Sequence, residues 1–505
     1  MLALVKSAAL FGIQAQEVTV EVDASAGLPG ETIVGLPDTV VKESRTRIKA
    51  AIKNSGFRYP VKAITVNLAP AELRKEGPFL DLPIAVGILQ TTGQLPPSPG
   101  ALFVGELSLD GSIKPIRGAV AIGHLVLVQK IPVIFIPFEN LEEVSLIPDI
   151  SVVAVRTLAD IQDFFEGHYP PPKPIERRIT LPQITLDFGD VKGQFMAKRA
   201  LEIAAAGHHN ILFVGSPGTG KTMLMKRLPS ILPPLSFDHA IEVYKIASIS
   251  RKVQSVATMD LEAPFRSPHH TISYAGMVGG GKTPMPGEVS LAHRGVLFLD
   301  ELPEFPRQII DILRQPIEDR QVVISRANFT LTYPTHFLLA AAMNPCPCGY
   351  HRDPFMACRC PKTVVASYQK RLSGPMLDRF DLIVEIPRLS KDDLFSENNP
   401  SHAQHTTSVM KTRVFAARAR QEIRFGTGKT NTDMGPSLMK QFCAYSKEGS
   451  TFLSTALDKG LITGRSLDKV LKVARTLADL AGEETLTLPH LAEALQYRRT
   501  PFLCL

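Results

Sequence analysis

Short apolar runs, set apart by polar and glycine-rich stretches, punctuate this chain. Near the start, Glu17-Val18-Thr19-Val20-Glu21-Val22 puts an apolar side chain at every second position, the period of a half-buried strand. Ala119 to Phe138 is apolar for longer, but His124, Gln129, Lys130 and Pro132 interrupt it, so it reads as a helix followed by a buried strand. In the middle of the chain, Ile211-Leu212-Phe213-Val214, Val296-Leu297-Phe298-Leu299 and Phe337 to Met343 read as apolar strands. Further on, the apolar spacing changes to three and four. Lys411 to Arg424 and Ser466 to Leu480 then read as helices, and the chain is mostly helical to its end.

Two breaks in this pattern divide the chain. Tyr169-Pro170-Pro171-Pro172-Lys173-Pro174 cannot sit inside a helix or central strand and reads as a stiff linker. Leu389 to His405 is polar and lacks periodicity. The expected organisation is α/β: a first domain over 1–168, a linker over 169–182, a core over 183–390, a flexible linker over 391–410 and a helical domain over 411–505. At 505 residues, 44% hydrophobic and 21% charged, the chain has the apolar material for several cores. A net charge of +7 is compatible with nucleic acid but decides little over this length. Met1 to Ala15 superficially resembles a weak signal peptide, yet it has no long apolar core and runs straight into the strand pattern. It is expected to be the first strand of a domain, with the protein in the cytoplasm and no membrane partner.

The middle of the chain carries the chemistry. Gly215-Ser216-Pro217-Gly218-Thr219-Gly220-Lys221-Thr222 is G-x-x-x-x-G-K-T between an apolar strand and a helix that Met223 to Leu228 can continue. Such glycines let the backbone wrap so that its N–H groups face phosphate oxygens. Lys221 is expected to reach the β- and γ-phosphates of ATP, and Thr222 to coordinate Mg²⁺. The second apolar strand ends in Asp300-Glu301. An acidic pair at the carboxyl end of such a strand lies beside the phosphate loop, where Asp300 would hold Mg²⁺ through water and Glu301 would polarise the attacking water. The third ends in Asn344, whose amide is placed for the γ-phosphate or the water, or else merely caps a turn.

With Ser373-Gly374-Pro375-Met376-Leu377-Asp378-Arg379-Phe380-Asp381-Leu382 and Thr463-Gly464-Arg465-Ser466, these motifs resemble the magnesium-chelatase-like branch of AAA+ P-loop ATPases. Nearly the whole chain resembles the bacterial ComM/YifB family. The resemblance implies that Asn344 is sensor 1, Arg379 an arginine finger for a neighbouring subunit's ATP, and Arg465 the sensor 2 arginine of a C-terminal helical lid. A finger acting in trans implies a homo-oligomeric ring, a hexamer. From the residues alone, Arg379 reads equally as a surface arginine paired to Asp378 or Asp381.

Between the ATP motifs, Phe265-Arg266-Ser267-Pro268-His269-His270 leads to the glycine-rich Tyr274 to Lys282. The resemblance makes this a pore-facing loop, followed by a hairpin from Gln321 to Thr332. Lys282 and Arg326 are the candidate DNA-phosphate contacts; each is otherwise an ordinary solvated cation. Adjacent His269 and His270 are expected to point apart, with a structural or phosphate-sensing role rather than a metal-binding one. Four of the six cysteines fall in 15 residues: Cys346 and Cys348, then Cys358 and Cys360. Four thiolates can close a tetrahedral, structural zinc site, although the pairs are tighter than the usual two-residue knuckles. Buried free thiols and an iron–sulfur site are the alternatives.

In the first domain, Lys75 to Ile84 and Gly105 to Gly118 resemble the proteolytic domain of Lon-type proteases, a ribosomal S5 domain 2-like fold. That family works through a Ser–Lys dyad. Phe79 stands in the serine's place and Val120 near the lysine's, so peptide hydrolysis lacks its nucleophile and base. The expected activity is an ATP-driven DNA motor, a helicase or branch-migration enzyme. The resemblance implies that it extends heteroduplex on single-stranded and branched DNA during natural transformation, alongside recombination proteins. The rival is a chelatase-type or protein-remodelling ATPase, and the Lon-like domain is not expected in chelatase subunits.

Overall fold

A computed structural model describes residues 2–36, 39–72, 75, 77–170, 179–181, 186–250, 259–281, 285–326, 329–390 and 403–498. The chain divides into two compact units.

Among the described residues, the first unit is built on a seven-stranded mixed sheet. Its order is Gly30–Val34, Ala63–Ala69, Gln14–Ser25, Leu2–Phe11, Ala101–Phe103, Val133–Pro137 and Val152–Val155. The alternation read at Glu17 to Val22 is real: Val18, Val20 and Val22 are fully buried. The strand expected at the start is Leu2–Phe11, which pairs antiparallel with Gln14–Ser25. The long apolar run resolves into the helix Ala119–Gln129 and the strand Val133–Pro137. Every residue of the helix Asp81–Thr91 is buried. A Cβ on Gly87 would stand 2.5 Å from a Val22 methyl, so only glycine lets the helix lie this close to the sheet.

This unit also includes Phe237–Asp260, a segment that sequence reading leaves in the middle core. Its helix Phe237–Ile249 packs on Ala119–Gln129 and buries Ala240, Ile241, Ile246 and Ile249. The helix Ala119–Gln129 is apolar on nearly all sides and therefore needs cover beyond its own sheet.

The second unit holds, among the described residues, a five-stranded sheet whose neighbours all run parallel. Its order is Phe265–Arg266, Val296–Leu299, Leu338–Met343, Ile211–Gly215 and Leu382–Ile386. The three runs picked out by hydrophobicity are its central strands, buried on both faces. Gln321–Arg326 pairs with Phe329–Pro334 as a two-stranded ribbon, as the hairpin reading expects. The helices Thr407–Phe425 and Gly464–Ala481 pack on the helix Phe195–Gly207. Ile203, Val414 and Val470 thus belong to one apolar core that also includes Phe213 and Phe298 of the sheet. Among the described residues no helix is long and apolar enough to cross a membrane.

Candidate nucleotide site

The phosphate-loop strand Ile211–Gly215 lies between Leu338–Met343 and Leu382–Ile386. Its register sets Val214 opposite Met343, which brings Asn344 level with Gly215 where the chain leaves the sheet. Gly218 and Gly220 take φ of 77° and 87°, values that favour glycine. A Cβ on Gly215 would lie 2.4 Å from the Ile386 carbonyl oxygen. The helix Lys221–Lys226 follows. A loop wrapped this way gathers backbone N–H groups into a concavity suited to phosphate.

The polar side chains converge on that loop. Lys221 Nζ donates to the Gly215 carbonyl at 2.7 Å, the Ser216 carbonyl at 2.9 Å and Asn344 Oδ1 at 3.2 Å. Burial pushes its pKa down to about 8, against the pull of Asp300 and Glu301. Thr222 Oγ1 donates to Asp300 Oδ2 at 2.7 Å, and the Glu301 N–H donates to Asp300 Oδ1 at 3.0 Å. A hydroxyl and a carboxylate in direct contact beside a phosphate loop are a suitable oxygen pair for Mg²⁺. Glu301 has φ 51° and a side chain 54% exposed, leaving it free to meet water.

Arg379 lies elsewhere. Its carbonyl accepts from Asn210 Nδ2 at 3.0 Å, and Asn210 immediately precedes the phosphate-loop strand. The loop leaves the other end of that strand, and five residues span about 15 Å. The partner of Arg379 is Glu318, at 2.5 Å. The alternative pairings with Asp378 or Asp381 are not seen: Arg498 approaches Asp378, while Lys469 and His209 approach Asp381. Arg379 lines a 390 Å³ cavity together with Arg320, Lys469 and Lys472.

The four cysteines meet. Cys346, Cys348 and Cys358 have sulfurs 3.4, 3.7 and 3.6 Å apart, and all four ligand atoms lie within 4.8 Å of one another. A disulfide needs about 2.05 Å. Four sulfurs at about 2.3 Å from one ion lie about 3.8 Å apart, close to what is found. The donor set therefore fits a closed tetrahedral metal site.

Similarity to known proteins fits this geometry. The family described as magnesium chelatase, subunit ChlI, matches residues 187–394, and its C-terminal counterpart matches 404–498. A further family, subunit ChlI of Mg-chelatase, matches 20–140. Competence protein ComM of Haemophilus influenzae is 43% identical over 98% of this chain and 97% of its own length. The chain belongs to the magnesium-chelatase-like ComM/YifB family. YifB of Escherichia coli, described as uncharacterized, is likewise 43% identical, over 98% of this chain and 97% of its own length. The magnesium-chelatase 38 kDa subunit of Cereibacter sphaeroides is 24% identical over 39% of the chain and 58% of its own length. For this AAA+ family ATP and Mg²⁺ are the expected ligands. A family named for a chelatase subunit also matches part of the first domain, residues 20–140, whereas the Cereibacter sphaeroides chelatase subunit matches only 39% of the chain.

Other residues singled out in this family member fare unevenly. Lys282 lies outside the described residues, as do the side chains of Arg326 and Arg465. Arg465 stands in the first turn of the helix Gly464–Ala481. His269 and His270 do not point apart: their rings are 4.1 Å between centroids. They sit where an extended stretch enters a turn, so the alternation of a strand does not apply. His270 Nδ1 lies 3.7 Å from Glu301 Oε2.

Some neighbours of the site escaped the sequence. Gln194 Nε2 donates to the Pro387 carbonyl at 2.8 Å and the Thr219 carbonyl at 3.3 Å. Burial alone would raise the Asp353 carboxyl, but the Ser216 hydroxyl, the Phe355 and Met356 N–H groups and Arg388 outweigh it and hold it below the ordinary range. No motif spacing announces a contact between residues this far apart in the chain.

Proposed function

We propose that this chain is an ATP-driven DNA motor, a helicase or branch-migration enzyme that works as a hexameric ring and extends heteroduplex during recombination of incoming DNA. The observation that carries the reading is near-full-length similarity to a protein named for competence, the uptake of DNA. In this reading Lys221 and the loop Gly215 to Thr222 hold the ATP phosphates, Thr222 and Asp300 hold Mg²⁺, and Asn344 senses the γ-phosphate. Glu301 polarises the attacking water, and His270 is placed to steady it. Arg379 stands by the far end of the strand from its own phosphate loop, which favours service to a neighbour's ATP. Arg465 is sensor 2 of the helical lid, and Lys282 and Arg326 contact DNA phosphates. The four cysteines hold a structural Zn²⁺. The first unit is a Lon-like domain without its dyad, serving ring assembly or substrate binding: Phe79 and Val120 are both buried.

The second reading, a chelatase-type or protein-remodelling ATPase, draws support from the chelatase names of all three matching families. ATP-dependent movement of a synthetic three-way DNA junction separates the two. Displacement by the wild type and none by Glu301→Gln is the expected result. ATP hydrolysis that is indifferent to DNA, with the junction untouched, would replace the motor with the remodeller.

A further inference from the structure

The cysteine loop touches the phosphate loop. Gly349, one residue beyond Cys348, has φ 84°, and a Cβ there would lie 2.4 Å from the Pro217 ring. Its N–H donates to the Cys346 carbonyl at 2.9 Å, so the turn spanning the first cysteine pair sets its place. Four residues on, the buried Asp353 carboxylate faces the Ser216 hydroxyl and also accepts the N–H groups of Phe355 at 2.9 Å and Met356 at 3.0 Å. Ser216 and Pro217 are variable positions of the phosphate-loop motif, and the Gly215 and Ser216 carbonyls anchor Lys221. The segment bearing Gly349 and Asp353 is therefore the outer wall of the loop that would wrap the nucleotide.

That wall is held by polar contacts such as Asp353 with Arg388 more than by apolar packing. Phe355 is 60% exposed and Met356 46%, so the loop's large apolar side chains bury little against the protein. What gathers its two ends is the meeting of Cys346 and Cys348 with Cys358 and Cys360. Four thiolates repel one another unless a cation joins them, so closing this loop is tied to filling the centre.

We infer that the four-cysteine centre is a metal-dependent brace for the phosphate loop, in which Zn²⁺ bound by Cys346, Cys348, Cys358 and Cys360 presses Gly349 and Asp353 against Pro217 and Ser216 and so preforms the nucleotide pocket. The inference rests on the zinc reading above and adds a consequence for ATP: affinity for nucleotide follows metal content. Loss of zinc frees the wall, and the nucleotide must then bear the cost of ordering the loop around its phosphates.

Two measurements on the full-length protein test it: zinc content by mass spectrometry, and the dissociation constant of a fluorescent ADP. As purified, the protein should carry one zinc, and stripping it with a mercurial and a chelator should weaken ADP binding by about tenfold or more, restored by added Zn²⁺. Gly349→Ala keeps all four thiolates. It should retain zinc, lose a few degrees of melting temperature from alanine strained at φ 84°, and bind ADP about tenfold more weakly because its Cβ meets Pro217. Absence of stoichiometric zinc, with none taken up on titration, overturns the zinc reading itself. Zinc present, with ADP affinity unmoved by stripping or by Gly349→Ala, leaves that reading standing and overturns the brace.

Discussion

Two loop-to-helix junctions in this protein make opposite use of glycine and charge. In the first unit, Gly77 (φ 94°) leads through Pro78–Leu80 into the buried helix Asp81–Thr91. In the second, Gly218 and Gly220 lead into the helix Lys221–Lys226. At the first junction the charged and backbone groups find partners within the protein. Arg47 holds both Asp81 oxygens, at 3.0 and 3.3 Å, the Gly105 N–H donates to the Phe79 carbonyl, and Phe79 is packed inside. At the second, Lys221 leans on two carbonyls and an amide oxygen, Thr222 on Asp300, and Glu301 stands in solvent. Such partners can be exchanged for phosphate, Mg²⁺ and water at small net cost. A saturated junction serves structure, whereas a loosely held one keeps its charges available for a ligand.

Breaking each junction should separate these roles. Glu301→Gln should lower steady-state ATP hydrolysis by about 10²- to 10⁴-fold while leaving the melting temperature and ADP affinity near those of the wild type. Unchanged hydrolysis would remove Glu301 from the chemistry. Asp81→Ala leaves Arg47 partly buried without its partner and should cost about 3 kcal/mol of stability, read by urea denaturation, with ATP turnover per folded molecule retained. A large loss of turnover in fully folded protein would show that the first junction also serves the ATP site.

The smallest effect is one of pH. In the free protein Lys221 has a pKa near 8, depressed by burial from its ordinary value, and a bound polyphosphate must raise it. Nucleotide binding is then coupled to proton uptake above about pH 8. Affinity should fall with rising pH there, by at most about tenfold per unit. Calorimetric titration in buffers of different ionisation enthalpy reads the uptake directly, and its absence at pH 9 would place the lysine's proton firmly on the free protein. The same depressed value disfavours the folded free protein as pH falls from the unfolded-state pKa towards 8, so nucleotide should stabilise the protein most at and below that point.

Most of the second junction was legible in the sequence, because its parts are contiguous. Gly215 to Thr222 is one motif, and Asp300 and Asn344 each end a run of apolar residues that can only be an interior strand. Periodicity was equally informative for Thr407–Phe425 and Gly464–Ala481. It was silent on what each buried face meets. The apolar positions of Phe237–Ile249 announce a helix but not that it covers Ala119–Gln129. The pairing of Arg379 with Glu318, and the approach of Gly349 to Pro217, join residues that only the folded backbone brings together. The turn holding His269 and His270 was lost for another reason: alternation was assumed where the chain reverses.

The placement of Phe237–Ile249 bears on how such a protein could have arisen. The first unit owns a helix encoded between the phosphate loop and Asp300, so its territory is not a contiguous stretch of gene. A single crossover near residue 180 would deliver a first unit with Ala119–Gln129 bare on one side, and leave Phe237–Ile249 on the other product with its buried face uncovered. Exchange of the first unit with a related protein would therefore have to carry Phe237–Ile249 with it to keep Ala119–Gln129 covered.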